Sequence, residues 1–313
     1  MPWGRENLKY VHSPVLLDYI LSDLVQETDS YYLDCTLGEG GHTEAILNRY
    51  QNIKACGLDR DSSVLQIANE RLAVFGERFS SFNINFNEAG QLKESGLQFD
   101  CALIDLGISV FHYKSSGRGF TFLKDEPLDM RLDSEGTSVE HIINTYSEKE
   151  LKDIFYKYAE ERFTPNIVKR IMQSRIEKPI TSSLELATII ENAIPHKFRS
   201  RNIHPATKVF QALRIVANNE LDNITKGIPQ VLSLLKKGGR LGVITFHSIE
   251  DRIVKKIFAE LNKECLCPPK LPICSCGKVR EVKIIGKSII PTETEIENNP
   301  PSRSARLRIV EKL

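Results

Sequence analysis

The sequence predicts an α/β fold: a mostly parallel sheet covered by helices, with a small helical domain spliced into it. Three observations predict it. Apolar runs alternate with helical patterns in the first third of the chain, more than 130 residues separate the fourth run from the fifth, and two β runs follow one another near the C-terminus.

The first four runs cover residues 31–37, 54–58, 79–86 and 99–106. A helix from about Thr43 to Tyr50 follows the first, and another starting at Asp61 follows the second, with Val64, Ile67 and Ala68 on one face. Such alternation argues for parallel strands joined by crossover helices. The fifth strand, GGRLGVITF at 238–246, sits behind a long helical stretch with Phe210, Leu213, Ala217 and Leu221 at spacings of three and four. A crossover needs only ~30 residues, so the gap holds an insertion. Its middle is helical: Leu151, Ile154, Phe155 and Tyr158 fall at i, i+3, i+4 and i+7, and Ser182 with Glu185 forms a capping box. The insert is placed at 114–205 and the core at 1–113 and 206–313. Beyond the fifth strand come a helix at 248–263, a cysteine-rich loop, and β runs at 278–286 and 304–313. In the second run Ala305, Leu307 and Ile309 alternate with Ser304, Arg306 and Arg308, as in a half-buried strand. Two consecutive strands closing a parallel sheet give it an antiparallel end, which methyltransferases use and nicotinamide-binding folds generally do not. Residues 291–301, rich in Pro, Asn and Glu, read as a loop.

With 41% hydrophobic residues, 27% charged and a net charge of +1, the chain has a globular composition and no overall basic bias. No run approaches the roughly 18 apolar residues of a membrane span, and the opening lacks a basic leader with an apolar stretch. A cytoplasmic protein is expected. Seven cysteines make an odd count, and Cys35, Cys56 and Cys101 fall in strands, so reduced thiols are expected.

The first strand breaks into the glycines of DCTLGEGGHTEAIL, 34–47. Glycines there let a ligand approach the backbone at a helix N-terminus. The dinucleotide fingerprint needs a third glycine where Thr43 stands, which disfavours a nicotinamide cofactor. Asp59 ends the second strand, where a carboxylate accepts hydrogen bonds from both ribose hydroxyls of an adenosine. The alternative, that Asp59 caps the next helix, is weakened by Asp61. Asp105 ends the fourth strand at the crevice where α/β sheets bind ligands. It suits acceptance of a hydrogen bond from an exocyclic amine, whose delocalised lone pair must be freed and aimed before methylation. A bond to a neighbouring loop is the plainer alternative.

These residues and their surroundings resemble the bacterial 16S rRNA cytosine-N4 methyltransferases, the RsmH or MraW family. The matching stretches include GLDRD (57–61), IDLGIS (104–109), RGFTF (118–122), PLDMRLD (127–133), YAEERF (158–163), HPATKVFQALRIVANNEL (204–221), FHSIEDRIVK (246–255) and NPPSRSARLRIVEK (299–312), in family order across nearly the whole chain. The resemblance implies a class I Rossmann-like core that binds S-adenosyl-L-methionine, carrying a helical insert. It implies methylation of a cytidine at N4 in the decoding centre of the small ribosomal subunit. The cofactor contacts it implies are Gly40, Gly41, His42, Asp59, Phe86 and Asp105. The family's usual Ser-Ser-Pro-Gln run is replaced here by ISVFHY, which puts His112 where a glutamine touches the cofactor.

A stacked base cannot present N4, so the substrate base is expected to be splayed into a pocket between core and insert. Candidates to act on it beside Asp105 are Asp129 and Arg131, His204 and His247. Each has a structural alternative: an Asp129–Arg131 ion pair, a helix-start role for His204, a satisfied structural histidine at 247. Residues 196–208 carry four Lys or Arg and no acid, and Arg303, Arg306 and Arg308 add to a strip suited to phosphates or simply to solvent. Cys265, Cys267, Cys274 and Cys276 form two Cys-x-Cys units. Structural zinc sites use Cys-x₂₋₄-Cys more often, so reduced loop thiols and no metal are expected. A DNA amino-methyltransferase is disfavoured because Leu106-Gly107-Ile108 follows Asp105 in place of Pro-Pro-aromatic. A ribosome-assembly or RNA-binding factor that binds the cofactor without turnover is the alternative outside enzymology.

Overall fold

A computed structural model of the chain describes residues 14–200, 204–265, 267 and 276–313. A short helix α1 (Leu17–Tyr19) continues as a π-helical turn (Ile20–Leu24). Then β1 (Tyr31–Asp34), α2 (Gly41–Arg49), β2 (Lys54–Leu58), α3 (Ser62–Leu72), β3 (Phe79–Phe82), β4 (Phe99–Asp105) and α4 (Val110–Lys114) follow. The insert supplies α5 (Val139–Thr145), α6 (Glu148–Ile154), α7 (Thr164–Glu177) and α8 (Ser183–Ala193). The remainder is α9 (Thr207–Ala217), α10 (Glu220–Leu234), β5 (Leu235–Thr245), α11 (Ser248–Leu261), β6 (Val282–Ile289), α12 (Glu293–Asn298) and β7 (Arg306–Lys312).

The seven strands form one sheet in the order β3-β2-β1-β4-β5-β7-β6. Strands β1 to β5 pair in parallel, and β7 runs antiparallel between β5 and β6. The core is therefore a Rossmann-like α/β sheet with the antiparallel end anticipated from the two closing β runs. Successive side chains on a strand face opposite ways, so the sheet feeds two apolar layers. Leu33, Leu58, Ala102, Ile104 and Val243 pack under α10 and α11, whereas Tyr32, Ala55, Leu103, Ile244 and Leu307 pack under α2 and the N-terminal π turn. Cys35, Cys56 and Cys101 are buried free thiols among them.

Two sequence expectations need correction. The stretch with Phe210, Leu213, Ala217 and Leu221 is two helices, broken where Asn219 takes the left-handed region (φ 51°). Of these, α9 packs Val209, Phe210, Ala212, Leu213 and Ala217, with Ala206 before it, into the insert's apolar cluster. Finally, 291–301 contains α12, whose N-cap Thr292 accepts from the Glu295 amide while Glu295 Oε1 accepts from the Leu16 amide at 2.7 Å. Among the described residues no helix is long and apolar enough to cross a membrane.

Candidate active site

A cleft of about 600 Å³ opens where the carboxyl ends of β1, β2 and β4 meet α4, α9 and the loop after β5. The glycine turn forms its floor. Gly38 (φ 54°) and Gly40 (φ 80°) occupy the left-handed region, and a Cβ at Gly40 would lie 2.9 Å from Leu72 Cδ1, so the turn can press close to α3 only as glycine. Thr43, which breaks the dinucleotide fingerprint, pins α2 to the end of β1, because its hydroxyl donates to Asp34 Oδ2 at 2.7 Å. Asp34 is buried and also accepts from the Thr36 amide and the Tyr32 hydroxyl, and burial still raises it to about 6.

Asp59 faces the cleft from the end of β2. Its Oδ2 accepts from the Gly38 amide at 2.8 Å and its Oδ1 from the Asp61 amide at 2.9 Å, so the turn and the carboxylate orient each other. Burial raises Asp59 to about 6. The helix-capping alternative goes to Asp61, whose Oδ1 accepts from the Ser63 amide as N-cap of α3. Phe86 forms the opposite wall. It can do so because α10 presents Gly227 there, where a Cβ would come within 2.3 Å of the Phe86 ring.

Asp105 projects from the end of β4, its amide donating to Thr36 Oγ1 at 2.7 Å. Its Oδ2 is 3.8 Å from His42 Nδ1, and its Oδ1 is buried with no hydrogen-bond partner among the described residues. Burial, with Asp34 and Glu250 adding negative charge, holds this carboxyl well above the usual range. His42 donates through Nε2–H to the Val15 carbonyl, 2.9 Å away. Gly41 lets that helix start against Pro14, whose Cγ would be 2.9 Å from a Cβ there.

His112 lines the cleft, but the protein uses both its ring nitrogens. Nδ1 accepts from the Ser109 amide and Nε2 lies 3.0 Å from Asp61 Oδ2. The hydrogen bonds assign the proton to Nε2. Burial opposes charge on Asp61, yet His112 and Arg118 (2.8 Å) together hold it far below the ordinary carboxylate value. The ring thus lines the cleft while its two nitrogens fasten α4 to α3.

Of the base-pocket candidates, His247 is in the cleft wall and Asp129 and His204 are not. His247 caps α11: Nδ1 accepts from the Glu250 amide at 3.3 Å. Nε2 sits 3.0 Å from Glu250 Oε1 without the angle of a hydrogen bond. Glu250, which carries no signal in the sequence, is buried and accepts from the Phe246 and His247 amides. Burial works against its charge, but His247 and Arg214 keep its carboxyl below the usual value. Arg214 in turn forms a bidentate pair with Glu220 at 2.7 and 2.9 Å. Asp129 pairs bidentately with Arg131, the plainer alternative. His204 accepts from the Ala206 amide, stacks on Phe122 with centroids 4.6 Å apart, and lines a second groove with Arg162, Phe198 and Lys208. The basic strip is likewise divided. Arg199 is bound to the Glu191 carboxylate and to the Glu191 and Ile194 carbonyls, Arg308 to Asp251, and Arg201 lies outside the described residues.

The cleft suits an adenosyl sulfonium. Asp59 can take ribose hydroxyls, Phe86 can face the adenine, and Asp105, whose Oδ1 has no partner among the described residues, lies further along in a wall that also holds Glu220 and Glu250. Comparisons with known proteins give the family. "Ribosomal RNA small subunit methyltransferase H" of Treponema denticola is 47% identical over 309 residues, covering 97% of this chain and 98% of that protein. Its counterpart in Carboxydothermus hydrogenoformans is 44% identical over 310 residues, with 98% and 99% covered. A solved rRNA methylase from Streptococcus thermophilus is 12% identical with a TM-score of 0.40 over 95% of this chain and 92% of that one. The sequence profile of the MraW methylase family matches residues 9–313. By that match and by these relatives, the chain belongs to the MraW family of S-adenosylmethionine-dependent methyltransferases.

Proposed function

We propose that this chain methylates the exocyclic N4 of a cytidine in small-subunit ribosomal RNA, acting in the cytoplasm on a base drawn out of its stack into the cleft. The observation that carries this reading is the Asp105 carboxyl, whose Oδ1 is buried, raised in pKa by burial and without a protein partner among the described residues. Bound S-adenosylmethionine supplies an electrophilic methyl group. The protein's part is positional. Asp59, fixed by the Gly38 and Asp61 amides, holds the ribose hydroxyls, and the Gly38–Gly41 turn and Phe86 set the depth of the adenosyl group.

Asp105 accepts a hydrogen bond from the amino group. That bond draws the nitrogen lone pair out of conjugation and holds it in one direction, which is where the rate gain of orientation arises. After transfer the nitrogen carries an extra proton, and Asp105 Oδ1 is the acceptor in place for it; a carboxyl raised by burial holds that proton readily. His247, with its Nε2 at the wall beside Glu250, suits a hydrogen bond to the ring edge of a pyrimidine. The relatives from Treponema denticola and Carboxydothermus hydrogenoformans are named as methyltransferases of small-subunit ribosomal RNA. The insert supports RNA contact through its second groove, where the Arg162 guanidinium lies 4.7 Å from the centroids of both Phe163 and Phe198, an arrangement suited to stacking an unpaired base.

The test is methyl transfer from labelled S-adenosylmethionine to small subunits lacking the modification, with nuclease digestion and mass spectrometry of the nucleosides. N4-methylcytidine is expected with the native chain and not with Asp105→Ala. Label in another nucleoside overturns the regiochemistry. Cofactor binding without transfer points to an assembly factor, and equal transfer to DNA removes the RNA assignment.

A further inference from the structure

Cys265, Cys267 and Cys276, between α11 and β6, do not line the cleft. Sequence spacing alone makes them ordinary loop thiols, but the fold gathers them. The sulfurs of Cys265, Cys267 and Cys276 all lie within 4.8 Å of one another, and Cys265 Sγ is 3.8 Å from Cys276 Sγ although 11 positions separate the residues.

That distance fits a thiol–thiol hydrogen bond, and it is also the spacing that a shared metal would need. Zinc bound tetrahedrally by thiolates at ~2.3 Å sets neighbouring sulfurs about 3.8 Å apart, whereas a disulfide draws them to ~2.05 Å. The Cys267 amide donates to Cys265 Sγ at 3.3 Å, a bond that favours the thiolate and fixes the direction of its lone pairs, as supporting hydrogen bonds do around metal ligands.

Among the described residues the connection is held by polar contacts at its base, Arg280 donating to Asn262 Oδ1 at 2.7 and 3.1 Å, and not by apolar packing. No described residue from 262 to 281 belongs to a hydrophobic cluster, Cys265 and Cys276 are exposed, and Val279 is 74% exposed. Small segments without a core are commonly held by a metal. Three soft sulfur donors select zinc over the hard cations that prefer oxygen.

We infer that Cys265, Cys267 and Cys276 form a structural zinc site that closes the α11–β6 connection. Each thiol gives up its proton to solvent as the metal binds. The fourth position takes water or a further thiol; Cys274, two places before Cys276 in the sequence, lies outside the described residues. The site sits next to the sheet's edge, where the Glu281 amide donates to the Leu261 carbonyl and the Leu313 amide to that of Glu281. It therefore secures β6 and leaves the cleft alone.

The full chain, purified under reductant and dialysed against metal-free buffer, should retain about one zinc per chain by elemental analysis, and the Cys265→Ser/Cys276→Ser double variant less than roughly a tenth of that. Cobalt exchanged into the native chain should give thiolate charge-transfer absorption and the strong visible bands of tetrahedral cobalt, both missing from the variant. S-adenosylhomocysteine affinity should agree within about twofold between the two, which establishes that the variant is folded. Native chain with no zinc and no cobalt bands overturns the site, as does recovery of a Cys265–Cys276 disulfide from zinc-free protein. In Cys274→Ser, retained zinc assigns the fourth position to water and lost zinc assigns it to that thiol; both results support the site.

Discussion

Replacing Gly227 with alanine sets two calculable effects against each other. Gly227 lies inside α10, where helix propensity favours Ala over Gly by about 0.8–1.0 kcal/mol. Against this, the new Cβ would be 2.3 Å from Phe86 Cδ2, 2.4 Å from Cε2 and 3.3 Å from Asn87 Cα. Carbon atoms rest about 3.5–4.0 Å apart, so the ring must retreat by roughly 1.2 Å or more, and overpacking of that kind costs about 1–3 kcal/mol. The difference is a net destabilisation of about 0–2 kcal/mol, small enough for the variant to fold. Affinity should suffer more visibly, because the ring that moves is a wall of the cofactor cleft. A loss of about 1–2 kcal/mol weakens S-adenosylhomocysteine binding roughly five- to thirty-fold by calorimetry. In a Phe86→Ala background, itself less stable, the Gly227→Ala change should no longer cost stability in urea titrations, since the ring it strikes is gone. A Gly227→Ala protein that gains the full propensity increment and binds the nucleoside like the native chain refutes the reasoning.

Other perturbations test the remaining walls. Ribose hydroxyls donate to the Asp59 carboxylate and not to its protonated form. With Asp59 raised to about 6, S-adenosylhomocysteine affinity should be level above about pH 7 and weaken by up to tenfold per unit below about pH 6, while Asp59→Asn binds weakly without that slope. Calorimetry across pH decides it, and a flat native profile rejects the contact. Glu250→Ala removes the acceptor of the buried Phe246 and His247 amides and should cost about 2–4 kcal/mol in urea unfolding; a cost under about 1 kcal/mol means those amides find another partner. His112→Ala cuts the α3–α4 tie and should lose about 1–3 kcal/mol of stability while nucleoside affinity changes less than threefold. The reverse result makes His112 a polar cofactor ligand.

What the sequence could disclose divides along physical lines. The parallel strands were legible because a strand buried on both faces is a continuous apolar run, and the insert was legible as a gap too long for a crossover. The α9–α10 break was not. Apolar spacing runs on through Asn218 and Asn219, and a single left-handed residue leaves no periodic trace. Helix α12 did leave one, Thr292 followed three places later by Glu295, which the surrounding prolines and asparagines outweigh. In the site, strand-end residues such as Asp59 and Asp105 were legible because the end of a strand has one place to point. Asp129 and His204 sit in segments whose turns decide direction, and Arg131 and Phe122 capture them. Gly227 and Glu250 were not legible, because a glycine in a helix interior and an acid three places after a histidine carry no motif without knowledge of what they face.

The cofactor and base subsites are built from the same parts. Glu39, in the glycine turn, caps α4 through the Phe111 amide at 2.9 Å. Asp61, two residues beyond Asp59, is gripped by His112 and Arg118 where the insert departs. On the far side Asn87, next to Phe86, donates to Asn223 at 2.7 Å, Asn223 donates to the Asn218 carbonyl, and the Asn218 side chain holds Met130 and Leu132 of the insert. A shift of Phe86 or of the glycine turn is thus passed into the insert through directional bonds with little slack. On the proposed function, filling the first subsite is expected to change affinity at the second, and linkage requires the same factor in reverse. Measured as S-adenosylhomocysteine affinity with and without small subunits, that factor should lie within the usual range of about five- to 150-fold, and Asn223→Ala should bring it towards one. If the factor is unity in the native chain, the bonds between core and insert hold the architecture and transmit nothing.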